Sequence, residues 1–92
     1  MKKRYKNYYF IGIGGIGMSA IARYFHNRGH NVSGYDKTPS ALTAKLEKEG
    51  IAIHYEDDIS AIPADKENTF VVYTPAIPHD MGELRYVMEQ GY

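Results

Sequence analysis

Apolar positions along this chain alternate between two periods. Tyr8 to Ile13 is apolar and aromatic around Gly12, which suits a strand buried on both faces. Ile16, Ala20, Ile21, Tyr24 and Phe25 then recur at helical spacing, with Ser19, Arg23, His26 and Asn27 on the other side, and Gly29 stops the run. Asn31 to Tyr35 reads as a second strand ending at Asp36. Thr38 as cap and Pro39 as first helical residue open a second helix, with Leu42 and Leu46 one turn apart and Gly50 at its end. Ile51-Ala52-Ile53 reads as a short third strand, and Asp57-Asp58 as the cap of a brief helical turn closed by Pro63. Thr69 to Tyr73 has the highest β-propensity in the chain. After the rigid stretch around Pro75 and Pro78, Asp80 and Glu83 have capping-box spacing. Met81, Leu84, Val87 and Met88 follow as an apolar stripe, ended by Gly91. Strands alternating with helices predict an α/β fold: a Rossmann-like open parallel sheet of about four strands with helices on both faces.

Composition narrows the class. With 92 residues the chain suits one small domain, and 43% apolar with 24% charged residues is an ordinary globular balance. Eleven basic and eleven acidic residues cancel, so no net field draws nucleic acid or acidic lipid. Lys2-Lys3-Arg4 with Lys6 is a short basic start that reads as a solvated terminus. The absence of cysteine removes disulfides and thiolate metal sites. No apolar run approaches the ~20 residues of a membrane span. With no signal-type segment either, the expected location is cytoplasmic and the expected partners include neither nucleic acid nor membrane. The four histidines (His26, His30, His54, His79) are too scattered for a metal site. They read as surface or strand residues.

The chemistry is concentrated in Gly12-Ile13-Gly14-Gly15-Ile16-Gly17, a glycine cluster between a predicted strand and a predicted helix. Such a turn brings bare backbone and helix N–H groups to a phosphate. Gly12 would make the tight turn, Gly14 and Gly15 would leave room for phosphate oxygens, and Gly17 would let the helix pack closely on the sheet. On that view Gly14→Val abolishes binding and spares the fold. Ile16 and Met18 read as helix packing whose N–H groups face the anion. Asp36 lies about 20 residues past the motif, where a ribose-binding carboxylate sits in dinucleotide folds; capping the Thr38-Pro39 start is its alternative role. Thr74-Pro75-Ala76-Ile77 ends the fourth strand and would border the same crevice, with Thr74 either donating to phosphate or capping the loop. There is no G-x-x-x-x-G-K-[ST] phosphate loop. A ligand-free glycine turn and an NAD(H)-binding domain of a dehydrogenase or redox-sensing regulator remain open on these residues alone.

Phe10 to Ala22 (Phe-Ile-Gly-Ile-Gly-Gly-Ile-Gly-Met-Ser-Ala-Ile-Ala) resembles the opening of the UDP-N-acetylmuramate–L-alanine ligases, a branch of the Mur ligase family in peptidoglycan synthesis. Val32 to Asp36 resembles that family's V-S-G-S-D, Leu46 to Ile51 its L-x-x-x-G-I, and Val71 to Ile77 its V-V-Y-S-S-A-I. The resemblance spans nearly the whole chain. It implies that residues 1–92 are the UDP-sugar-binding domain, a fragment of a longer multidomain ligase. The glycine loop (Gly12, Gly14, Gly15, Ile16, Gly17, with Met18 and Ser19) would hold the diphosphate of UDP-N-acetylmuramate. Asp36 would lie at the uridine end, and Thr74, Ala76 and Ile77 would contact diphosphate or sugar. It further implies that ATP and magnesium serve the complete enzyme through other domains, where the muramate carboxylate is phosphorylated and the L-alanine amine attacks. No cofactor and no catalytic residue is expected in this chain. Pro75 and Tyr35 stand where the family pattern has serines, and Glu56 and Asp57 stand near its usual histidine.

Overall fold

The computed structural model describes residues 5–92, and the basic start Lys2-Lys3-Arg4 lies outside them. The elements are β1 (Asn7–Ile11), α1 (Ile16–Asn27), β2 (Asn31–Tyr35), α2 (Ala41–Lys48), β3 (Ala52–His54), β4 (Thr69–Tyr73) and α3 (Gly82–Gln90), with short 3-10 turns at Ile59–Ala61 and Lys66–Asn68. All strand pairs are parallel and the sheet order is β3-β2-β1-β4. The chain moves outward from β1 to β3, then returns to the far side of β1 for β4. This reversal leaves a crevice at the carboxyl ends of β1 and β4, the position where open α/β sheets take ligands.

β1 is central, and its alternating side chains supply both cores. Tyr8 and Phe10 join Ile13, Ala22, Val32, Leu46 and Ile51 under α1 and α2. Tyr9 and Ile11 join Tyr35, Ile62, Leu84 and Val87 under α3. The predicted α/β sheet with helices on both faces is therefore present.

Several boundaries differ from the sequence expectation, each for a local reason. β1 stops at Ile11, two residues early. There Gly12 turns at φ +95°, and the Gly12 and Ile13 N–H groups both donate to the Tyr35 carbonyl, at 2.8 and 3.0 Å. Ser40, not Thr38, caps α2: its hydroxyl accepts from the Thr43 N–H at 3.1 Å, and Thr43 Oγ1 accepts from the Ser40 N–H at 2.8 Å. Pro39 therefore precedes the cap. Ile51 belongs to the end of α2, its N–H bonded to the Leu46 carbonyl, so β3 begins one residue later. Asp58 does cap the turn at Ile59–Ala61, accepting from the Ser60 N–H. The Asp80–Glu83 capping box does not form. Met81 holds the cap position of α3, while the carboxylate of Asp57, distant in sequence, accepts from the Gly82 and Glu83 N–H groups at 2.7 and 2.9 Å. Leu84 and Val87 face the core as predicted, but Met88 is half exposed.

Candidate ligand crevice

Three loops meet at the carboxyl edge of the sheet. The glycine turn follows β1, Asp36 follows β2, and the segment from Thr74 follows β4. Their contact is tight: a Cβ built on Gly12 would lie 2.8 Å from Thr74 Cγ2 and 3.5 Å from Ile77 Cδ1. A Cβ on Gly14 would lie 2.7 Å from Asp36 Oδ2 and 2.8 Å from Thr43 Cγ2. Gly12 thus has two reasons to be glycine, its positive φ and its closeness to Thr74.

Gly14 departs from the sequence argument. Its N–H donates to Asp36 Oδ2 at 2.7 Å, and the space beside it is filled by Asp36 and Thr43 rather than left for phosphate oxygens. Substitution at Gly14 must therefore disturb this packing, and fold and ligand effects cannot be separated there. Asp36 is engaged within the loops themselves: Oδ2 accepts from the Gly14 N–H, and Oδ1 accepts from the Thr38 N–H at 3.1 Å, ahead of the Ser40 cap rather than in place of it.

The open backbone lies one step further along. The Gly15 N–H closes the turn onto the Gly12 carbonyl at 3.2 Å, and the first helical bond of α1 runs from the Ser19 N–H to the Gly15 carbonyl at 2.8 Å. The Ile16, Gly17 and Met18 N–H groups thus precede the helical ladder and point along the helix axis toward the crevice. α1 has no side-chain cap and no acidic residue in its first turn, whereas Ser40 and Asp57 serve the N-termini of α2 and α3. The partial positive charge of a 12-residue helix is left for an outside anion.

Gly17 does not pack on the sheet as expected, for a Cβ there would meet nothing within 4 Å. Ile16 is not a packing residue either, at 87% exposure. Met18 is half buried against the α1–α2 core. Ser19 is buried, and its hydroxyl donates to the Ile16 carbonyl at 2.9 Å. Thr74 Oγ1 accepts from the Ala76 N–H at 3.4 Å, a long bond, and Ile77 packs on the α3 side. The structure thus brings Gly12, Gly14, Asp36, Thr74 and Ile77 together, exposes Gly15, Ile16 and Gly17, and turns the Ser19 side chain inward.

Sequence reasoning missed a second polar feature at the same sheet edge. Glu83 is fully buried and accepts from the Tyr9 hydroxyl and, at 2.9 Å, from the Asp58 N–H. Its Oε2 lies 2.7 Å from His54 Nε2, which is 3.1 Å from the Tyr9 hydroxyl. Burial, then the hydrogen bond to Glu83, pushes the Tyr9 phenol far above its usual pKa. The available signal was that Glu83 lies one turn before Val87, on the face of the predicted α3 that carries its apolar stripe. The larger hollows flanked by described residues lie elsewhere. One of about 300 Å³ is beside Asn7, His26, His30 and Asn31, and one of about 460 Å³ is beside Tyr5, Lys66, Phe70 and Tyr92. Both border the amino ends of strands, away from the switch point between β1 and β4.

Residues 7–92 match the family model described as "Mur ligase family, catalytic domain". The chain belongs to the Mur ligase family. It is 61% identical over 88 residues to a UDP-N-acetylmuramate–L-alanine ligase of Flavobacterium psychrophilum, an alignment covering 94% of this chain and 20% of that protein. It is 58% identical over 90 residues to the Porphyromonas gingivalis protein of the same name, covering 95% of this chain and 20% of that one. Among solved structures, the UDP-N-acetylmuramate–alanine ligase of Thermotoga maritima superimposes with a TM-score of 0.82 at 32% identity, over 92% of this chain and 19% of that one. The Psychrobacter arcticus murein peptide ligase gives 0.80 at 26%, over 94% and 18%. This Mur ligase chain spans about a fifth of the length of these relatives. The NAD(H) reading gains no support from them, since they are ligases.

Proposed function

We propose that this domain holds UDP-N-acetylmuramate for ATP-dependent ligation of L-alanine. The uncapped first turn of α1 would take the diphosphate, Asp36 would lie toward the uridine ribose, and the Thr74, Ala76 and Ile77 rim would lie toward the sugar. The observation that carries this reading is the helix start itself. It offers three N–H groups without a helical acceptor beside a turn of glycines, in a chain at least 57% identical to several proteins named for that substrate. A diphosphate suits the site because the attraction comes from backbone dipoles, which need no lysine or arginine.

This chain's part in the reaction is binding and orientation. ATP and L-alanine would act through polypeptide beyond it. Among the described residues no three histidines, aspartates or glutamates converge on a point that could hold a metal ion. No chemical step is assigned to them. Among the described residues no helix is long and apolar enough to cross a membrane. A cytoplasmic setting, where nucleotide-activated precursors are made, completes the proposal.

The test is a titration of the 15N-labelled chain with UDP-N-acetylmuramate. The Ile16, Gly17 and Met18 amides should shift in a saturable way, and UDP should compete. Saturable enhancement of NADH fluorescence that UDP fails to displace would replace this reading with the dinucleotide one.

A further inference from the structure

Glu83 is a fully buried carboxylate in a small domain, set apart from the first turn of α1. Both its oxygens are occupied. Oε1 accepts from the Tyr9 hydroxyl; Oε2 accepts from the Asp58 N–H at 2.9 Å and faces His54 Nε2 at 2.7 Å. A carboxylate only accepts, so the geometry puts a proton on that histidine nitrogen. Tyr9 stands in the central strand, His54 ends β3, Asp58 follows it, and Glu83 is the second residue of α3. One side chain thus gathers the centre of the sheet, its edge strand and a helix start.

Those attachments lead to both rims of the crevice. On one side, the His54 carbonyl accepts from the Asp36 N–H at 3.1 Å, and its ring lies 5.7 Å from the Tyr35 ring. On the other side, α3 is the anchor of the segment that begins at Thr74. The Met81 N–H bonds to the Pro78 carbonyl, the Ile77 N–H bonds to the Thr74 carbonyl, and Thr74 and Ile77 lie against Gly12. Fastening a helix to a sheet needs only apolar contact, and Leu84 and Val87 provide it. Such contact resists separation more than sliding, whereas a charged hub with three directed donors fixes register.

We propose that Glu83 is a positioning residue of the ligand crevice. By collecting Tyr9, His54 and the Asp58 N–H on one buried carboxylate, it sets the Thr74–Ile77 rim against the Asp36 rim. The consequence for affinity rests on the UDP-sugar reading above; the consequence for loop position does not.

The experiment compares Glu83→Gln with Val87→Ala in the chain. Val87→Ala loosens α3 one turn along and removes none of the hub's hydrogen bonds. Amide spectra of the free proteins and calorimetric titration with UDP-N-acetylmuramate are recorded, with thermal melts to match stability loss. The expected result is that Glu83→Gln shifts the Asp36, Thr74, Ala76 and Ile77 amides and weakens binding about tenfold, while Val87→Ala at similar stability loss does neither. If Glu83→Gln does not fold, His54→Leu at the partly exposed member removes one donor and carries the same comparison. Rim amides that stay in place, or that move equally in Val87→Ala, overturn the inference. Failure of the unsubstituted chain to bind the nucleotide sugar refutes the proposed function instead, and the free-protein spectra still decide the role of Glu83.

Discussion

Gly17→Ala separates what the glycine turn does for the fold from what it does for the ligand. At Gly17 an added Cβ meets nothing within 4 Å, and the residue is the exposed second position of α1. The native structure therefore opposes the methyl group with no contact of its own. Replacing glycine by alanine in a helix removes unfolded-chain entropy worth about 0.5–1 kcal/mol. In a domain of this size that raises Tm by roughly 2–8 °C. Binding should move the other way. An anion held ~2.9 Å from the Gly17 nitrogen shares its approach with a Cβ at that residue. Affinity for UDP-N-acetylmuramate is expected to fall about tenfold for alanine and further for Gly17→Val. Differential scanning calorimetry and isothermal titration on the same preparations give both numbers. A variant that melts lower than the parent shows that Gly17 serves the fold. One that melts higher and binds unchanged shows that the ligand does not come near the first turn.

Gly14→Val should behave differently from Gly17→Ala, lowering stability as well as binding. The Cβ alone would come within 2.7 Å of Asp36 Oδ2 and 2.8 Å of Thr43 Cγ2, and a chemical denaturation midpoint equal to the parent's would contradict this. Ser40→Ala removes the side-chain acceptor at the start of α2 and should cost about 1 kcal/mol in urea unfolding with no change in nucleotide affinity. Tyr9 gives a pH signature. Its folded pKa is raised, so its contribution is complete below the unfolded value near 10 and is lost as pH rises above it. Stability should therefore fall between about pH 10 and 12, and Tyr9→Phe should flatten that fall while lowering stability near neutrality by about 1–3 kcal/mol, because Glu83 Oε1 loses its donor. Equal alkaline slopes in parent and variant would refute the assignment.

The sequence revealed the layered fold because both its signals are local. Tyr8 to Ile11 alternates between two cores, and the Leu42–Leu46 and Leu84–Val87 spacings mark helix faces that the structure buries wholly or in part, whereas on α1 the predicted face is largely exposed at Ile16, Ala20, Ile21 and Tyr24 and the helix turns Ser19 and Ala22 inward. Local punctuation was less decisive. Thr38 and Ser40 both qualify as caps by residue type, and the choice fell to Ser40 because Thr43 reciprocates. Asp80 looked like the cap of α3, but Asp57 arrives from another loop, and a bond across 25 residues leaves no mark in a short window. The same limit hid the Tyr9–His54–Glu83 cluster, whose members lie 45 and 29 residues apart along the chain. The glycine motif does fall at the carboxyl edge of the sheet, but Gly14 and Gly17 exchange the surroundings expected of them. Spacing alone does not reveal that Asp36 already takes the Gly14 N–H, or that Gly17 faces open space.

In the proposed complex the diphosphate sits on the uncapped start of α1. A crystal structure of the chain bound to UDP-N-acetylmuramate tests it most directly. Phosphate oxygens are expected within hydrogen-bonding distance of the Ile16, Gly17 or Met18 nitrogens. A diphosphate seated instead beside Lys66 and Tyr92, or between His26 and His30, would contradict it.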